Sequence, residues 1–195
     1  MVHWLDDRSE PERVNKSVSI AVAMVALTVV LVALLVAAAG PSPNWIRPAI
    51  AARFPKVQWI DTATLSRWLG RSSSRQLVVL DVRTREEYAV SHLRRARRLD
   101  PDRPDIVPLH IAVDDTVVVY CSLGYRSAAV VGALKRAGVQ EVYNLEGGIF
   151  QWATEGRPVY RDGVRVKQVH PYDRFWGRLL PEELRTPLRR EGPSP

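Results

Sequence analysis

One cysteine occurs in the 195 residues, and its neighbours make it the first residue to read. Cys121 closes the apolar run Thr116-Val117-Val118-Val119-Tyr120 and is followed by Ser122-Leu123-Gly124-Tyr125-Arg126-Ser127. A thiolate is a strong nucleophile, favoured where backbone N–H groups and a helix amino end converge. A strand, a short glycine-bearing loop and a helix, in that order, create such a setting at the carboxyl end of a parallel sheet. Gly124 can take a backbone angle that other residues avoid, which lets the loop curl around the sulfur. Arg126 is expected near the loop mouth, where its charge would attract an anionic ligand. The chemistry implied is covalent catalysis by an activated thiolate. A lone cysteine is more often a small buried hydrophobe at a strand end, but loop, arginine and helix together argue against that here. A single cysteine also excludes an internal disulfide framework and a cysteine-only metal cluster.

Other polar residues fit supporting roles. Asp81 and Arg83 follow the apolar run at 77–80 and are expected as a structural ion pair or turn cap beside the loop. Glu86 and Glu87 fall in the first turn of a short helix, where they offset its dipole. His92, His110 and His170 share no metal-ligand spacing, and no metal or other cofactor is expected. The basic run Arg94-Arg95-Ala96-Arg97-Arg98 reads as a solvated face. Net charge is +7, and no nucleic-acid-binding motif accompanies it.

The elements that must position Cys121 are legible. Continuous apolar runs at 77–80, 116–120 and 142–145, with a weaker one at 57–60, predict strands buried on both faces, hence a parallel sheet. Asp61 can cap a helix that Gly70 ends, and Thr84 can cap a short helix over 85–90. Residues 127–137 predict the longest helix, with Val130, Val131 and Leu134 on one face and Gly138 as its stop. Strand and helix in alternation give a compact α/β domain over 57–159. The aromatic, charge-interrupted extension at 160–195 is expected to pack on that domain and to end in disorder at 189–195.

Upstream, residues 18–39 are 22 consecutive residues without a charge. As a helix they would span roughly 33 Å, enough for a bilayer core of about 30 Å. A cleaved signal peptide would have a shorter apolar region and a cleanly basic leader. Here the leader, 1–17, mixes four acidic residues with Arg8, Arg13 and Lys16. A single transmembrane helix in a plasma or inner membrane is therefore expected, with the bilayer as partner. Gly40-Pro41 ends it, and 40–56 reads as a linker that Pro48 and Pro55 keep extended. Basic residues are balanced across the span, and the acidic bias of the first flank leans the domain towards the cytoplasm.

With these residues in hand, the chain resembles the single-domain rhodanese family of sulfurtransferases. Cys121-x-x-Gly124-x-Arg126-Ser127 is similar to that family's active-site loop. Leu80-Asp81-Val82-Arg83 with Glu87-Tyr88, then Ser91-His92-Leu93, are similar to its Asp-x-Arg, Glu-Tyr and Gly-His-Ile stretches. Asn144-Leu145-Glu146-Gly147-Gly148-Ile149 and Gly156-Arg157-Pro158-Val159 resemble its closing segments. The resemblance implies a rhodanese-like parallel sheet flanked by helices, and a Cys121 persulfide formed from a donor such as thiosulfate. That sulfur would pass to a thiol or cyanide, with loop residues Ser122, Leu123, Gly124, Tyr125, Arg126 and Ser127 holding the anion. A phosphatase of similar fold would need Cys-x5-Arg, one residue longer than this loop. The other class is a binding or redox-sensing module that uses the fold without turnover.

Overall fold

The computed structural model describes residues 46–71, 76–102 and 110–188, together with Met24, Leu27, Thr28, Val30 and Leu31. The chain divides into two units, residues 1–41 and 42–195. In the first, the five described residues are helical and exposed, and Thr28 Oγ1 donates to the Met24 carbonyl at 2.8 Å. Among the described residues no helix is long and apolar enough to cross a membrane. Most of the expected span at 18–39 lies outside them, as does the expected disordered end at 189–195.

The second unit is built on five parallel strands: β1 (Gln58–Ile60), β2 (Leu77–Asp81), β3 (Arg97–Arg98), β4 (Thr116–Tyr120) and β5 (Glu141–Leu145), in the order β1-β5-β4-β2-β3. β4, which delivers Cys121, is central and hydrogen-bonded on both sides. The apolar runs are continuous because both faces are covered. Val79, Val118, Tyr120 and Leu145 join one buried cluster, while Val78, Leu80, Val117, Val119 and Val142 join the other. Alternate residues of each strand thus enter opposite cores, as a two-residue side-chain period requires.

Helices α2 (Thr62–Leu69) and α5 (Gly148–Thr154) contribute Leu65, Ile149, Phe150 and Trp152 to the first cluster. Helix α4 (Tyr125–Arg136) lays Val130, Val131 and Leu134 on the second. Its first turn begins at Tyr125, two residues before the sequence reading places it. Helix α3 (Arg85–Val90) is short and opens with a reciprocal capping box: Thr84 Oγ1 accepts from Glu87 N–H, and Glu87 accepts from Thr84 N–H.

Two sequence expectations change. Part of the supposed extended linker is helix α1 (Arg47–Arg53), because Pro48 stands in the first turn, where no backbone N–H is needed. Its Ile50 is buried in a cluster with Ile46 and Ala128. Within the basic run, Ala96 is buried, Arg97 and Arg98 form β3 beside β2, and Arg95 turns the chain at φ 61°. The extension packs on the domain as expected. The chain continues past 159 into the hairpin β6 (Val159–Arg161) and β7 (Val164–Val166), then returns to the sheet. Val169 and Leu180 are fully buried in the first cluster, so the extension completes the core.

A buried leucine truncated to alanine loses its transfer free energy and leaves a cavity, about 2–5 kcal/mol in all. Leu180→Ala should therefore lower the urea-unfolding free energy by that amount. A change under about 0.5 kcal/mol would mark the extension as an appendage.

Candidate active site

Cys121 follows the last residue of β4 and is 2% exposed. The chain then turns through Ser122 and Leu123 to Gly124, whose φ of +107° starts α4. The Gly124 N–H points back at Cys121 Sγ, to which it donates at 3.1 Å. Ser127 Oγ, one turn into the helix, lies 3.5 Å from the same sulfur and is placed to donate to it. Asn144 Nδ2, at the end of β5, donates to the Gly124 carbonyl at 2.8 Å and holds the turn from behind. A negative charge on the sulfur would thus meet an amide, a hydroxyl and a helix amino end.

The loop's carbonyls face the other way. Ile149 N–H donates to the Cys121 carbonyl at 3.0 Å, and Phe150 N–H to the Ser122 carbonyl at 3.2 Å. The first turn of α5 therefore abuts the loop backbone directly. Only glycine permits this: a Cβ on Gly148 would collide with the Cys121 carbonyl oxygen and sit 2.6 Å from that of Ser122. The Gly147-Gly148 pair is explained by close approach and by positive φ at both residues.

Arg126 does not stand free at the mouth. Its Nη1 donates to Glu87 Oε2 and its Nη2 to Glu87 Oε1, both at 2.7 Å, and Nη2 also lies 3.1 Å from Ser122 Oγ. Ser122 Oγ in turn donates to Glu87 Oε1 at 2.9 Å. Burial opposes the charge of Glu87, which is 2% exposed, but the Arg126 hydrogen bonds and charge, with the Thr84 N–H, hold its pKa down to about 2. Burial likewise works against Arg126, and Glu87 keeps it charged. The structure thus ties the loop to the start of α3 through a forked, charge-assisted pair.

Asp81 and Arg83 form a second buried pair, fully closed to solvent. Arg83 Nε and Nη2 donate to Asp81, and Nη2 also donates to the Ser91 carbonyl at 2.6 Å. Tyr120 Oη donates to Asp81 Oδ2 at 2.5 Å and accepts from Leu93 N–H at 3.0 Å. This pair fastens the 91–93 turn to the ends of β2 and β4, one residue before Cys121. Its contacts are structural and reach the loop only through Tyr120.

Two groups from the extension complete the surroundings. The Tyr172 ring lies over the Arg126 guanidinium at 4.8 Å, and its N–H donates to His170 Nδ1 at 3.0 Å. Burial holds the His170 pKa below the usual histidine range. Of the loop side chains, Leu123 packs inward, while Tyr125 is half exposed and meets Phe54 edge-on at 5.5 Å. Among the described residues no cluster of His, Cys, Asp or Glu is placed to hold a metal ion. Sequence reasoning missed Tyr120, Asn144 and Tyr172, and read Glu87 only as a dipole partner. The Thr84-x-x-Glu87 spacing signals a capping box, but nothing local signals the arginine 39 residues away.

The rhodanese-like domain profile matches residues 63–155. A sulfurtransferase of Allochromatium vinosum is 34% identical over 103 residues, which span 53% of this chain and 94% of that protein. This chain belongs to the rhodanese-like family. A Mycobacterium tuberculosis protein named "Probable adenylyltransferase/sulfurtransferase MoeZ" is 33% identical over 110 residues, 55% of this chain but 28% of that longer protein. In fold, this rhodanese-like chain matches the thiosulfate sulfurtransferase of Pseudomonas aeruginosa at a TM-score of 0.50 and 23% identity, over 62% of this chain and 23% of that one. The first two of these proteins are named as sulfurtransferases, and the third shares the fold. Residues 160–188, with Tyr172, lie beyond the matched family segment.

The depressed Glu87 pKa has a thermodynamic consequence. A carboxylate whose folded pKa lies below its unfolded value of 4.5 stabilises fully above that value and loses the contribution as pH falls towards 2. Between pH 5 and pH 2 the wild type should lose on the order of 3 kcal/mol more stability than Glu87→Gln, read from urea titrations at each pH. Parallel losses in the two proteins would show that the pair is solvated in solution.

Proposed function

We propose that this chain is a membrane-anchored sulfurtransferase in which Cys121 carries the transferred sulfur. The observation that carries this reading is the Gly124 N–H at 3.1 Å and the Ser127 hydroxyl at 3.5 Å, both directed at Cys121 Sγ. In the first step the thiolate attacks the outer sulfur of a sulfane donor such as thiosulfate. The Sγ–S bond forms, the donor S–S bond breaks, and sulfite leaves with the bonding electron pair. In the second, a thiol or cyanide attacks the outer sulfur of the persulfide and returns the Cys121 thiolate. Amide and hydroxyl stay in place through both steps and stabilise sulfur anions as an oxyanion hole stabilises oxygen. The uncharged run at 18–39 supports an anchor, with the catalytic domain on the cytoplasmic side.

The test uses the full chain in membranes. After incubation with thiosulfate, intact-mass analysis should show one added sulfur atom on Cys121, removable by cyanide and absent in Cys121→Ser, in protein that resists alkaline carbonate extraction. Failure of any sulfane donor to load Cys121 would favour the non-turnover binding or redox-sensing reading. Release by carbonate would remove the anchor.

A further inference from the structure

At the other ends of the same strands lies a cavity of about 730 Å³, lined by Leu77, Thr116 and Glu141, the first residues of β2, β4 and β5. Cys121 leaves the opposite end of the five-residue β4, roughly 16 Å away along the strand. The volume falls within the range of about 300–1,000 Å³ typical of small-molecule sites. The lining is sorted by the strand order β1-β5-β4-β2-β3. On the β5 side stand Glu141 and Tyr143, with the Trp68 ring of α2 edge-on to Tyr143 at 5.6 Å. On the β3 side stand Arg95 and Arg97, three strand spacings or about 14 Å away. Arg71, just beyond the end of α2, brings a third guanidinium to the cavity. Arg95 has a φ of 61°, and its turn is fastened at the next residue. Ala96 is buried, its N–H donates to the Leu93 carbonyl at 3.1 Å, and its carbonyl accepts from Tyr88 Oη at 2.8 Å. The backbone that presents Arg95 is therefore fixed before any ligand arrives, which lowers the cost of binding.

We propose that this cavity binds a nucleoside diphosphate, with its base on the Trp68–Tyr143 side and its phosphates on the Arg95 side. Each part of the lining answers to one part of that ligand. The aromatic rings offer apolar surface to a flat base. The Glu141 carboxylate accepts from Tyr143 Oη at 2.5 Å and keeps acceptor capacity for ribose hydroxyls. Guanidinium groups make forked, charge-assisted hydrogen bonds to phosphate oxygens. A bare inorganic anion would gain nothing from the aromatic wall and would be repelled by Glu141. An uncharged nucleoside would leave the arginines unused. An extended nucleoside diphosphate is of a length comparable to the distance from β5 to β3, so one molecule engages both sides. The site stands apart from Cys121 and does not depend on the sulfur-carrier reading.

The test is titration calorimetry of the full chain in non-ionic detergent, with ADP as the probe and pyrophosphate and adenosine as its separate halves. ADP should bind with a Kd below about 100 μM, and each half at least about tenfold more weakly. Arg71 and Arg95 are exposed, so Arg71→Gln and Arg95→Gln should leave the urea midpoint where it is. Each should raise the Kd for ADP by about fivefold or more. Trp68→Leu should weaken ADP about three- to tenfold and pyrophosphate by less than about twofold. Cys121→Ser should bind ADP as the wild type does. No binding of ADP up to about 1 mM, or an unchanged Kd in both arginine variants, would overturn the proposal whether or not Trp68→Leu folds. Pyrophosphate bound as tightly as ADP would overturn it as well, because the cavity would then hold an anion without recognising a nucleoside. Loss of ADP binding in Cys121→Ser would place the nucleotide at the other end of the sheet and contradict the assignment.

Discussion

A carboxylate closed off from water must find a cation, and Glu87 finds one 39 residues away in Arg126. Much of the site's geometry follows from that requirement. Glu87 is the third residue of a six-residue helix, too short to be stable alone, and its carboxylate caps the helix start while holding Arg126 and Ser122. The forked pair fixes the side of the loop facing α3. Helix α5 fixes the opposite side by donating two N–H groups to the loop carbonyls. Held from both sides, the loop backbone turns the Gly124 N–H towards sulfur. The Cys121 sulfur is thus positioned in part by contacts made elsewhere on the loop.

The two buried ion pairs divide the work. Asp81–Arg83 is sealed and anchors Tyr120 and the 91–93 turn, so it sets where β4 ends. Glu87–Arg126 is sealed on the carboxylate side but partly open on the guanidinium side, with 22% of the arginine side chain exposed beneath Tyr172. A charge-matched pair at a loop mouth gives rigidity without a strong external field. Desolvating both ions costs free energy that the fork and the Ser122 and Thr84 hydrogen bonds offset.

What the sequence made legible follows from periodicity and order. Val117, Val118 and Val119 read as a strand buried on both faces because no polar residue interrupts them, and β4 is central in the sheet. The strand–cysteine–glycine–helix order made the loop visible, since each part leaves a local mark. Contacts between distant segments leave none. Arg126 reads as a free cation until the fold brings Glu87 to it, and Tyr172 reads as a tail residue until Val169 and Leu180 are seen in the core. Helix α1 was hidden for a different reason: Pro48 suits a first helical turn as well as an extended chain, and the sequence favours neither.

The most direct measurement is a double-mutant cycle of Glu87→Met and Arg126→Met, read as urea-unfolding free energies of the full chain. If the pair builds the loop as described, each single substitution strands a buried charge, and the double variant is more stable than the sum of the single losses predicts, by about 2 kcal/mol or more. Single losses that add to within about 0.5 kcal/mol would contradict it, because Glu87 and Arg126 would then not depend on each other in solution.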